Sequence, residues 1–228
     1  MLGAVSAAAC GSGPGPTHTP SSHTPTDSAT PAPTRTAAPD TLAVLVTATG
    51  VGSWQLVAVP VAVLVNQAQA HGATGVVVHF TTKSAAGTPL HELDSVAVNL
   101  PPRATLIVTA DCTETCSGSA TATASVTVGG WVESSGILLS GSGLGYRCSA
   151  GCGGPESGDV LATLSAVGPI GASAVVTSFA DCVDAHGAIV GGGSVQVTWS
   201  GSPAMQVDVP VVLRARPASC SVSGSTGW

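Results

Sequence analysis

Charge is what this chain has least of. Lysine and arginine together number six and aspartate and glutamate twelve in 228 residues, so 8% of the sequence is charged and the formal net charge is -6. An average soluble domain carries about 25%. Lys83 is the single lysine. Without a basic stretch there is no counterion-release footprint for a phosphate backbone or an anionic lipid surface, which excludes nucleic acid as a partner. Aromatic residues are equally scarce at 3%, so any core must be built from valine, leucine and alanine. Long apolar runs are missing as well. The longest, Trp54 to Val65, is interrupted by Gln55 and Pro60 and is too short to span a bilayer as a helix. There is no Gly-x-Ser-x-Gly elbow, His-Glu-x-x-His pair, dinucleotide fingerprint or phosphate loop, and no cofactor is expected.

What is present begins at the amino terminus. Residues 1–10, MLGAVSAAAC, form a weakly apolar run that ends in small residues and Cys10. This resembles the end of a bacterial lipoprotein signal, in which small residues precede a cysteine that is lipidated and becomes the new terminus. No Lys or Arg precedes the run, and Ala7 stands where that family usually has leucine. The resemblance implies lipidation of Cys10, a start upstream of Met1, an extracytoplasmic location and contact with membrane through a lipid anchor only. The alternative is an unmodified cysteine near a frayed end.

Residues 11–40 hold seven Pro, seven Thr, four Ser, four Ala and three Gly, with no Val, Ile, Leu, Met, Phe, Trp or Tyr. Such a segment has no apolar area to bury against its ordering entropy, and it is expected to be a disordered linker. His18 and His23 lie in it and read as solvated residues.

From Thr41 onward the apolar period is two. Leu42 to Thr47, Val61 to Val65, Val76 to Phe80 and Leu106 to Thr109 are short β-branched runs separated by Gly, Pro, Ser or Asn, which predicts strands. The runs also repeat. Val61–Phe80 written over Val160–Phe179, an offset of 99, superposes Gly72 on Gly171, Val76 on Val175, Val77 on Val176 and Phe80 on Phe179. After a one-residue slip at Gly87 and Gly187, Ser95–Val98 falls on Ser194–Val197, and Leu106–Thr109 falls on Val207–Pro210. A shared order of strands and turns predicts an all-β protein of two tandem β-sandwiches, at 41–116 and 117–224. The second would carry a Gly/Ser/Cys-rich insertion at 132–159, and Val175 and Val195 would lie in its core.

Asp184-Ala-His-Gly187, followed by Ala188-Ile-Val190 and Ser194-Val-Gln-Val197, resembles the extracellular FxLYD-type immunoglobulin-like domain. The likeness covers about residues 155–224 and, more weakly, 55–112. The aromatic pair that names the family is replaced by Cys182 and Val183, and Ser84 stands where the first copy would have its turn aspartate. The resemblance implies a small immunoglobulin-like β-sandwich common in exported bacterial proteins, with no catalytic residues to carry over.

Six cysteines remain beside Cys10: Cys112, Cys116, Cys148, Cys152, Cys182 and Cys220. An even count in an exported chain predicts three disulfides. Cys182 and Cys220 each follow a predicted strand and form the preferred pair. The pairing of Cys112, Cys116, Cys148 and Cys152 is open, and a four-thiolate zinc site is the competing use of these two Cys-x3-Cys elements.

Other polar groups are sparse. On a strand, His91-Glu92-Leu93-Asp94 puts both carboxylates on one face and the imidazole on the other. Asp181, Asp184 and His186 crowd one predicted turn, where Asp184 caps the Asp-x-x-Gly backbone and a cation site is the alternative. Trp54, Trp131 and Trp199 read as core or interface residues, and Trp228 as a mobile end. Two functions fit. The first is a tethered binding or structural module of the cell envelope that contacts a protein or wall partner without catalysis. The second is a metal protein or enzyme using the Asp181/Asp184/His186 turn or the first four cysteines.

Overall fold

The computed structural model describes residues 40–112, 116–133, 137–149, 156–166, 170–171 and 173–226. Cys10, the linker up to Pro39, Cys152 and Trp228 lie outside them. All regular structure among the described residues is β. In chain order the strands are β1 (Val44–Trp54), β2 (Val57–Asn66), β3 (His71–Lys83), β4 (Pro89–Asp94), β5 (Val98–Leu100), β6 (Thr105–Thr109), β7 (Thr121–Thr127) and β8 (Gly130–Glu133). They continue with β9 (Leu138–Cys148), β10 (Glu156–Ala166), β11 (Val175–Val183), β12 (Ile189–Thr198), β13 (Ala204–Leu213) and β14 (Ser219–Thr226).

The first eight strands make two sheets. One has the order β1-β2-β6; in the other, β3 pairs with β4 and β7 along its C-terminal half and with β5 and β8 along its N-terminal half. The ladder runs on from β4 into β5 and from β7 into β8, so each couple acts as one broken strand. The last six strands form a closed barrel, β10-β13-β12-β11-β14-β9. Both sets use one connectivity. β9-β10-β13 repeats β1-β2-β6, and β11 lies between β12 and β14 as β3 lies between its two broken strands.

The structural offset between the sets is 100 rather than 99. His79 pairs with Asp94 and Phe179 with Ser194. Ser84 and Gly87 close one turn and Asp184 and Gly187 the other, with the same two backbone hydrogen bonds and with Gly φ of 81° and 80°. Ala62, Leu64 and Val76 are buried, and so are Ala162, Leu164 and Val176. A one-residue shift moves every side chain to the other face, and it corrects two expectations. Val175 is 52% exposed, and its neighbour Val176 fills the core. Phe179 is not the counterpart of Phe80: it points out of the barrel and joins the same cluster as Phe80.

Two further expectations change. The boundary at 116/117 separates β6 from β7, yet β7 and β8 pair with β3, so the strand sets divide after Glu133. The stretch 132–159, expected as an insertion, supplies β9, which is held in the barrel by its ladder to β10.

Closure of the barrel is narrow. β12 meets β13 at Gly191↔Leu213 and Gly192↔Val212, and β14 meets β9 at Ser223↔Ser140, Gly224↔Leu139 and Ser225↔Leu138. Glycine makes the first seam possible. A Cβ at Gly191 would strike the Val212 carbonyl oxygen, and one at Gly193 the Pro210 carbonyl oxygen. From the first set, a Cβ at Gly52 would also meet the Val212 carbonyl.

The body from Pro39 onward is a single compact unit. Adjacent residues Val61 and Ala62 of β2 are both fully buried, as are Leu106 and Val108 of β6 with Ile107 between them at 7% exposure. Side chains alternate across a strand, so burial of neighbours means that this sheet is covered on both faces. Phe80 and Val76 cover it from one side, while Phe179 and Ile189 join the same cluster from the barrel. The barrel has its own core of Val160, Leu164, Val176, Val209, Leu213 and Trp199. The two sets therefore share one core and add a second.

Candidate functional site

The Asp184 turn is a backbone cap. Its Oδ1 accepts the amides of His186 at 2.8 Å and Ala188 at 3.0 Å, and these hydrogen bonds, Ala188 first, hold its carboxyl below the usual range. Ser84 Oγ accepts the Thr88 amide at 3.3 Å in the matching turn. Asp181 stands apart from that cap. It lies within β11, opposite Ser221 and Gly192, at 8% exposure, with Oδ1 lacking a partner, and burial pushes its carboxyl up. His186 donates its backbone amide to Asp184 and its ring acts on that carboxyl electrostatically, so these two share the turn while Asp181 has separate surroundings.

Cys182 and Cys220 face each other across β11 and β14 and are joined, with Cα atoms 4.0 Å apart. Cys112 is joined to Cys116, and Cys148 is also disulfide-bonded. Disulfide sulfurs are not the thiolates that zinc needs, so Cys112, Cys116 and Cys148 as placed here offer it no ligand, and Cys152 lies outside the described residues. Among the described residues, no group of three or more His, Cys, Asp or Glu is placed to hold a metal.

Strand register assembles a line of side chains that the linear sequence hides. His79 Nδ1 lies 2.7 Å from Asp94 Oδ1, and its Nε2 lies 3.0 Å from Thr127 Oγ1. A carboxylate orienting an imidazole that meets a hydroxyl is the order of groups in a nucleophilic triad. Here the line crosses an open sheet face, with the His79 and Asp94 side chains 40% and 66% exposed, and Asp94 borders a cavity. Solvent at that exposure weakens each contact, so the line serves as a latch across β4, β3 and β7. In β4, Glu92 and Asp94 are exposed while His91 is half-buried, as alternation requires.

Asn66 is another residue that only the fold reveals. Fully buried, its Nδ2 donates to the carbonyls of His71, Leu100 and Pro101, and its Oδ1 accepts the Ala68 amide. Nearby, Asp40 accepts the Gln69 and Ala70 amides and contacts His71 Nδ1 at 2.8 Å. The Gln69 amide and His71 lower its pKa to about 2.

Two adjoining cavities lie where the two sets meet. Of about 310 and 380 Å³, they share Asp111 and Ser194. The first is walled by Val57, Val59 and Ser157–Asp159 and by Pro210–Val212; Asp94, Thr109, Thr177 and Gln196 border the second. Asp159 is already paired with Arg147, which also reaches Asp208 at 3.0 Å. Burial raises the pKa of Asp111. Of the tryptophans, Trp199 is buried in the barrel core, Trp131 packs against the shared core, and Trp54 is 36% exposed at the β1–β2 turn.

Fold and site together define a disulfide-bonded, all-β protein with two adjoining crevices between two strand sets of one connectivity. The chain matches no protein-family model, no curated protein and no solved structure.

Proposed function

We propose that this is an exported lipoprotein, tethered through Cys10, whose two immunoglobulin-like halves act without catalysis as a binding or structural module of the cell envelope. The observation that carries the reading is the set of disulfides. Cys112–Cys116 and Cys182–Cys220 both stand at strand ends, and bonds of this kind persist in oxidising compartments outside the cytoplasm. Among the described residues no helix is long and apolar enough to cross a membrane, and an anchor at Cys10 supplies the attachment. Residues 11–40, rich in Pro and Thr, would stand the body off the membrane by up to roughly 90 Å at about 3.1 Å per residue. The partner is a protein or wall polymer met at the crevices or open strand edges of the body.

The test is fractionation of cells that express the gene from its own start, as wild type and as Cys10→Ala. The reading expects wild type in the membrane fraction, released by detergent, and the variant in the medium with its body disulfides intact. Equal distribution of the two proteins would contradict it.

A further inference from the structure

We propose that Asp181 is a proton-controlled lock in the seam between the two strand sets: the body is tight while this carboxyl is the neutral acid and loosens when it becomes a carboxylate.

Alternation along β11 sends Val176, Ala180 and Cys182 into the barrel core and Phe179 and Val183 outward, to the core shared with the first set. Asp181 stands between Phe179 and Val183 on that outward face, yet it is 8% exposed. Its register partners are Gly192 on β12 and Ser221 on β14. The first set reaches this row at Gly192, where an added Cβ would lie 2.9 Å from Val61 Cγ2. Further along the outward face of β14, the Ile107 amide donates to Ser223 Oγ at 3.1 Å and Ser225 Oγ donates to the Asn99 carbonyl at 3.0 Å. The carboxyl is therefore enclosed beside the hydrogen bonds that join the sets. Ser221 is exposed, so protons reach the seam from that side.

No neighbour offsets a charge there. Asp181 Oδ1 has no hydrogen-bond partner. Of the strands packed around this row, β2, β6 and β12 carry no titratable group, β14 has only the disulfide-bonded Cys220, and β13 has only Asp208, exposed and 3.0 Å from Arg147. In the turn beyond β11, His186 and Arg214 act on Asp184, and no charged group acts on Asp181. A buried carboxylate without a counter-charge is costly, whereas the neutral acid brings no charge into the seam. Burial is the largest influence on Asp181 and raises its pKa from 3.8, outweighing the hydrogen bonds from its own backbone and from Ser221 that lower it. With the folded value raised, the stability supplied by the protonated form is complete below 3.8 and is lost as pH rises through the folded pKa.

The inference goes beyond the reading of the body as a binding module, and its test is independent of anchoring. In the full chain carrying Cys10→Ser, the carbon-13 resonance of the Asp181 side-chain carboxyl is followed against pH, with an inflection expected above 3.8. Hydrogen exchange of the Asn99 and Ile107 amides, both held by serine hydroxyls of β14, reports opening of the seam. Their protection, corrected for intrinsic rates, should fall by up to about tenfold per pH unit between 3.8 and that inflection, then level off. Asp181→Asn keeps the shape and cannot ionise, so its protection should lack that fall, whereas Glu92→Gln on the open sheet face should follow the parent chain. Should Asp181→Asn disturb folding, the carboxyl inflection of the parent chain still decides. An inflection that is not above 3.8, no loss of protection in the parent chain, or the same loss in Asp181→Asn would overturn the proposal. Membrane release of Cys10→Ala would still stand in that case, so the two readings fail separately.

Discussion

The two strand sets share a connectivity and differ in how they finish it. In the first, β1 and β7 are linked by a side chain, Thr49 Oγ1 donating to the Ala122 carbonyl at 2.9 Å, and the sheets stay separate. In the second, five residue pairs across two seams close the barrel. The difference lies in side-chain volume at the corner. Gly191–Gly193 lets β12 reach β13, whereas the first set has His91, Glu92 and Leu93 at the ladder-matched positions and breaks into β4 and β5. Cross-strand stapling differs too. Cys182↔Cys220 in the barrel corresponds to Thr82↔Ala122 in the first set, where the Thr82 hydroxyl is buried without a partner. Identical strand order thus leaves two outcomes open, and glycine and cysteine content selects between them.

Breaking the closure should have the largest effect. Gly191→Val or Gly193→Val drives side-chain atoms into a carbonyl, and a loss of about 3 kcal/mol or more is expected in urea unfolding. Removing the barrel staple follows. By loop entropy, Cys182→Ala with Cys220→Ala costs about 4 kcal/mol at most for a separation of 38, against about 2 for the four-residue Cys112–Cys116 loop. Asn66→Ala should cost about 2–3 kcal/mol in thermal or urea unfolding, since it orphans buried carbonyls that join the β2–β3 and β5–β6 connections.

One substitution in the first set should raise stability rather than lower it. Thr82→Val keeps the shape and removes an unpaired buried hydroxyl, so the first set should gain about 1 kcal/mol in the same assay. The smallest effect is a pH dependence at Asp40. Its pKa in the folded chain is depressed to about 2 from 3.8, so its contribution is complete above 3.8 and is lost as pH falls towards 2. Asp40→Asn should flatten that part of the stability profile, as read by unfolding midpoints between pH 4 and about 2.

Much of this architecture is legible in the chain itself. Period-two runs mark β1, β2, β3 and β6, the internal repeat marks β11, and Asp-x-x-Gly marks a turn because a carboxylate two to four residues upstream can collect free amides. The placement of Cys182 and Cys220 after predicted strands anticipates neighbours across β11 and β14. Register is harder. Phe80 and Phe179 invite alignment at 99 because they are identical, whereas the burial of Val76 and Val176 fixes 100. β9, with Gly141, Gly143 and Gly145, has the composition of a linker and becomes a strand through its partners β10 and β14. The Asp94–His79–Thr127 line spans 15 and 48 residues of sequence, so it exists only once three strands are in register. The crevice at Asp111 needs both sets together and has no local signature at all.

The β1-β2-β6 sheet, covered on both faces, should join the two sets into one cooperative body. Trp131 packs on the shared core and Trp199 lies inside the barrel, so each can report one set. The direct measurement is urea unfolding followed by tryptophan fluorescence in two proteins, one with Trp54→Phe and Trp131→Phe, the other with Trp54→Phe and Trp199→Phe. The midpoints and slopes are predicted to match those of the backbone circular dichroism signal in each protein, as one two-state transition requires. A barrel that unfolds at a separate midpoint from the first set in both proteins would contradict the account.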